Sequence, residues 1–76
     1  MDNKQQTSKA LGYIGIDQWG KTYAIGNNPP RKTLCEMLGR THAKKLYDRE
    51  DKHVGYLIAG CWIRVYELHE WTEDNK

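Results

Sequence analysis

The chain of 76 residues contains no phenylalanine. Its large core side chains must therefore come from Leu, Ile, Val, Met, three Trp and five Tyr, and every indole N–H and phenol O–H wants a polar partner or water. Several aromatics are expected at the margin of the core or on a working surface. Cysteine is scarce: there are two, Cys35 and Cys61, where a disulfide-built secreted scaffold of this size usually carries several. With no apolar signal segment ahead of the domain, the expectation is a reducing, cytoplasmic setting with free thiols. Long apolar runs are missing too, since the longest, Tyr56 to Ala59, falls far short of the roughly 18 residues a membrane-spanning helix needs. No membrane partner is expected.

Metal and catalytic signatures are thin. Cys35, Cys61, His42, His53 and His69 contain no C-x-x-C or H-x-x-x-H pair to seed a metal site, so none is expected. The glycines at 12, 15 and 20 match neither the dinucleotide-binding pattern nor a phosphate loop. No paired carboxylates or nucleophile motif stand out, and the reading is a non-enzyme without cofactor or small-molecule substrate.

What is present is unevenly distributed. The formal net charge of +2 implies no polyanion partner by itself, yet Arg31 to Lys52 holds seven bases against four acids. Glu67 to Lys76 reverses this with four acids and one base, which leaves the middle of the chain as its anion-facing part. The length fits one domain, and a domain this small buries only about 60% of its unfolded surface. Residues 1–9 and 72–76 are polar and aperiodic and read as disordered tails around a single domain of 10–71.

Within that domain, Leu11 to Ile16 and Thr22 to Ile25 are rich in aromatic and β-branched residues. Asp17-Gln18-Trp19-Gly20 between them supplies a turn, so the segment predicts a β-hairpin. Thr33-Leu34-Cys35-Glu36 has the form of a capping box and predicts a helix starting at Thr33. Leu34, Leu38, Ala43, Leu46 and Tyr47 would give that helix an apolar side through Glu50, unless Gly39 ends it and Thr41 caps a second one. His53 to Leu68 returns to a strand pattern with Ala59-Gly60 where a hairpin would turn, giving Val54 to Ile58 and Cys61 to Tyr66 unless one long bent strand runs through. The fold class is α+β: an N-terminal hairpin, one helical segment and a C-terminal hairpin, with a small antiparallel sheet packed against the helix.

Two surfaces are candidates for function. One is basic, with Arg40, Lys44, Lys45 and Arg49 on the helical segment and Arg31 and Lys32 just before it, a face able to track phosphates. The other is aromatic, with Trp19, Tyr23, Tyr56, Trp62 and Tyr66 in the two hairpins, a composition suited to a protein-binding hot spot.

From Thr33 to Trp71 the order of features resembles the small excisionase and AlpA-like winged helix-turn-helix proteins of phages and integrative elements. The resemblance rests on Thr33-Leu34-Cys35-Glu36-Met37-Leu38-Gly39 as first helix and turn, and on Thr41-His42-Ala43-Lys44-Lys45-Leu46-Tyr47 as recognition helix. Gly55 to Val65 would be the wing and Tyr66 to Trp71 the closing segment. It implies a DNA-binding accessory or regulatory protein in which Thr41, His42, Lys44, Lys45 and Arg49 face double-stranded DNA and Arg64 lies on the wing. The rival expectation is a small phage-type inhibitor that blocks a host protein with its aromatic sheet surface. A break at Gly39 would favour the first, and a continuous helix on a four-stranded sheet the second.

Overall fold

The computed structural model describes residues 10–71; both expected tails lie outside them. Six elements follow one another: β1 (Gly12–Ile16), β2 (Thr22–Gly26), α1 (Pro30–Leu38), β3 (Lys44–Tyr47), β4 (His53–Ile58) and β5 (Cys61–Leu68). The strands form one sheet in the order β2-β1-β5-β4-β3, and every neighbouring pair is antiparallel. The expected α+β class and both expected hairpins are therefore present, with β3 as a fifth strand.

The β1–β2 turn is built around Asp17. Its Oδ1 accepts from the backbone N–H of Trp19 and of Lys21, both at 2.9 Å, while Gly20 N–H donates to the Asp17 carbonyl at 3.0 Å. The β3–β4 turn repeats this plan: Asp48 Oδ1 accepts from Glu50 and Lys52 N–H at 2.8 and 3.0 Å, and Asp51 N–H donates to the Asp48 carbonyl at 3.0 Å. Asp17-Gln18-Trp19-Gly20-Lys21 and Asp48-Arg49-Glu50-Asp51-Lys52 are thus the same hairpin loop, with Gly20 (φ 87°) and Asp51 (φ 62°) in the left-handed position. Ala59 (φ 52°) and Gly60 (φ 81°) make the two-residue turn between β4 and β5, both with the positive φ that a type I′ turn requires.

The helix departs from expectation at both ends. It starts at Pro30, three residues before Thr33, and the Thr33 N–H is already an interior donor, bonded to the Pro29 carbonyl at 3.0 Å. No side chain caps it, so the capping box does not form. Proline explains this: Pro30 at the first helical position carries a preset φ and has no N–H to satisfy. At the other end Gly39 (φ 67°) takes the left-handed conformation, with Gly39 N–H on the Glu36 carbonyl and Arg40 N–H on the Cys35 carbonyl at 3.2 and 2.9 Å, a Schellman-type stop.

The helix thus ends at Gly39, but no second helix follows. Residues 44–47 are strand β3, paired to β4 through Lys44↔Leu57, Lys45↔Tyr56 and Leu46↔Gly55. A strand here satisfies the outer backbone groups of β4, which a helix could not, and the Asp48 loop then reverses the chain. The recognition helix expected for Thr41 to Tyr47 is corrected accordingly.

The core lies between α1 and one side of the sheet. Leu34 and Cys35 pack against Tyr23, Ile25, Ile58 and Ile63, with Tyr13, Leu38, Ala43, Tyr56, Cys61 and Val65 around them. Gly55 lets β4 and β5 approach closely, because a Cβ there would collide with the Ile63 carbonyl oxygen. The other side of the sheet has no described element over it.

Candidate nucleic-acid interface

Directly paired residues in antiparallel strands point to the same side of a sheet, and side chains alternate along each strand. The buried Tyr23, Ile58 and Ile63 mark the helix side, so their strand neighbours mark the open side. One row across it is Lys44, Leu57 and Trp62. The next is Leu46, Gly55, Arg64, Ile16 and Thr22; a third is Tyr66, Ile14 and Ala24; Leu68 faces Gly12 at the end. An antiparallel sheet with one solvated face ordinarily turns polar residues outward. Here Trp62 is 57% exposed, Tyr66 43% and Leu68 44%, with Ile14, Ile16, Leu46 and Leu57 half-buried among them.

The charge on this face has one sign. Lys44 and Arg64 stand on it, and no Asp or Glu occupies any of these strand positions. Asp48 reaches Arg64 only through its field from the β3–β4 turn. Its carboxyl is held below the ordinary range first by the Lys52 and Glu50 N–H groups; burial opposes them, and the Arg64 and Lys52 charges add to the lowering.

A clasp fixes one end of the face. Gln18 Oε1 accepts from Trp62 N–H at 2.8 Å and Gln18 Nε2 donates to the Gly60 carbonyl at 3.1 Å, tying the β1–β2 loop to the β4–β5 turn. Trp19, next to Gln18 and 73% exposed, is held at this same end. Two adjoining hollows flank the β4–β5 turn. Gly39, Arg40, Thr41, His42 and Ala59 line the first; His42 to Lys44, Leu57, Ala59 and Gly60 line the second. Lys44 and Leu57 belong both to the second hollow and to the open face, so the hollow that His42 lines reaches the edge of that face, and Arg40 and Thr41 line the first hollow beyond His42.

The expected DNA-facing residues are therefore divided. Arg40, Thr41, His42 and Lys44 come together at the β4–β5 turn, and Arg64 lies in the middle of the open face. Lys45 pairs with Tyr56 on the helix side, Arg49 sits in the loop at the far end of β4, and Arg31 and Lys32 are exposed in the first turn of α1. Of the aromatic set, Trp62 and Tyr66 share the open face and Trp19 borders it. Tyr56 is half-buried on the helix side, edge-to-face with His53 at 4.9 Å. Tyr23 is buried and donates its hydroxyl to Asp17 Oδ2 at 2.8 Å. That bond, with burial, pushes the Tyr23 hydroxyl up to about 12. Burial pushes the Asp17 carboxyl upward, but the Tyr23 hydroxyl, the Lys21 and Trp19 N–H groups and the Lys21 charge together hold it below its ordinary value.

Sequence reasoning passed over Gln18 as a clasp and Ile14, Ile16, Leu57 and Leu68 as part of a surface. The available signal was that both alternating sets in β1 and β5 are largely apolar, more than one buried face requires. Cys35 and Cys61 are free thiols, and among the described residues no three His, Cys, Asp or Glu gather to hold a metal. No described helix is long and apolar enough to cross a membrane. Comparison with protein-family models, curated proteins and solved structures finds no match to this chain.

Proposed function

We propose that the chain is a non-catalytic nucleic-acid-binding protein that holds DNA against its open sheet face and the cationic rim around the β4–β5 turn. The observation that carries this is the composition of the face: Trp62, Tyr66, Lys44 and Arg64 stand among aliphatic side chains with no carboxylate at any of its strand positions, beside the hollows that Arg40, Thr41 and His42 line at the β4–β5 turn. Phosphates would neutralise Arg40, Lys44 and Arg64 and release counterions, while Trp62 and Tyr66 supply sequence-tolerant contact to bases. Free thiols suit a reducing cytoplasm.

Anisotropy titrations of labelled DNA at several salt concentrations test this reading. Affinity should fall steeply with salt, and Arg40→Ala combined with Lys44→Ala should lower the log–log slope by about 1.5 units. A wild type that binds no DNA at low salt overturns it. The rival, a protein that docks on and blocks another, draws on the aliphatic Ile14, Ile16, Leu57 and Leu68 around Trp62, Arg64 and Tyr66, residue types common at protein hot spots.

A further inference from the structure

We infer that the open face takes single-stranded rather than duplex nucleic acid, with successive bases resting on Trp62, Arg64 and Tyr66. This deepens the proposed nucleic-acid reading and rests on it. The three residues occupy alternate positions of β5, the middle strand of the sheet, and so project from one face. Their spacing follows from the strand rise, about 6.7 Å between neighbours. Each presents a flat face, indole, guanidinium or phenol, on which a base of any sequence can stack.

The spacing selects the strandedness. In a duplex the bases of one strand follow at about 3.4 Å and are stacked on one another, with no free face to offer. A strand drawn out to roughly twice that rise puts one base on each of the three side chains. The flanking rows leave room for this, since Gly55 and Ile16 beside Arg64, Leu57 beside Trp62 and Ile14 beside Tyr66 form a low apolar floor. Charge complementarity fits the same occupant: Lys44 lies in the Trp62 row and Arg64 in the next, and Arg40 adds a third cation beyond the β4–β5 turn. A second copy of the chain would bring the same cations with no carboxylate on the face to meet them. The nine-residue α1, which buries Leu34 and Cys35 against the sheet, leaves duplex recognition without the second helix the resemblance called for.

The test is the fluorescence anisotropy of an end-labelled oligothymidylate, and of a labelled duplex of the same length, titrated at low salt with the full chain. The oligothymidylate should bind at least about tenfold more tightly than the duplex. Trp62→Leu and Tyr66→Leu should each weaken it about 10- to 100-fold, and Trp62→Phe should retain most of the affinity. Unchanged circular dichroism in the variants separates lost contact from lost fold. Duplex binding equal to or tighter than single-strand binding, or Leu variants that bind as the wild type does, overturns the inference while leaving the nucleic-acid reading in place. Binding of neither probe overturns both, and a purified protein that the wild type then binds and Trp62→Leu does not would assign the face to a protein partner.

Discussion

Asp17 and Tyr23 share one hydrogen bond that acts at both ends of the pH scale. The Asp17 carboxyl sits below its ordinary value in the folded chain, so it contributes stability above about pH 3.9, the unfolded value, that is lost as pH falls through the lower folded one. Tyr23 works in the opposite sense: its folded value of about 12 means the native state keeps a proton that the unfolded chain releases near pH 10. Its contribution is complete below that and disappears as pH rises toward about 12. Tyr23→Phe should therefore lose stability at neutral pH, while its urea midpoint falls less than that of the wild type between pH 10 and 12. Parallel alkaline curves for the two proteins would show that the bond does not form.

Among the elements, the loops and the helix ends make separable claims. Asp51 holds a left-handed backbone that its sister loop gives to Gly20, and Asp51→Gly should raise stability by up to about 1 kcal/mol by removing that steric cost. Thr33→Ala should change the denaturation midpoint little, because Thr33 caps nothing, whereas Gly39→Ala should cost about 1 kcal/mol. The opposite ranking would restore a helix start at Thr33. The same elements mark what the sequence made legible. Both long hairpins could be read because their turn chemistry is local, in Asp17 to Gly20 and in Ala59-Gly60. The helix start was obscured because two local signals competed, and proline at the first position prevailed over Thr33 and Glu36. Strand β3 was hidden for a different reason: Lys44-Lys45-Leu46-Tyr47 is short and acceptable to a helix, and only its partner β4 makes it a strand. The open face needed the register of all five strands before Ile14, Ile16, Leu57, Trp62 and Tyr66 could be seen as one surface.

At the scale of the whole molecule, protection should follow position in the sheet. Strands β1, β4 and β5 each have two strand neighbours, whereas β3 is a four-residue edge with a register shift between Leu46 and Tyr47. Amide hydrogen exchange should accordingly be slowest in β5 and fastest, among the strands, in β3. Equal protection in β3 and β5 would mean that the sheet opens only as a unit. The strand order has one more consequence, for synthesis on the ribosome. The middle strand is also the last of the six elements to be translated, so a nascent chain that has emitted β1 to β4 holds two half-sheets with nothing to join them. The five-stranded sheet therefore cannot close until β5 has left the ribosome, and until then β1 and β4 each present an unpaired edge to the cell's chaperones.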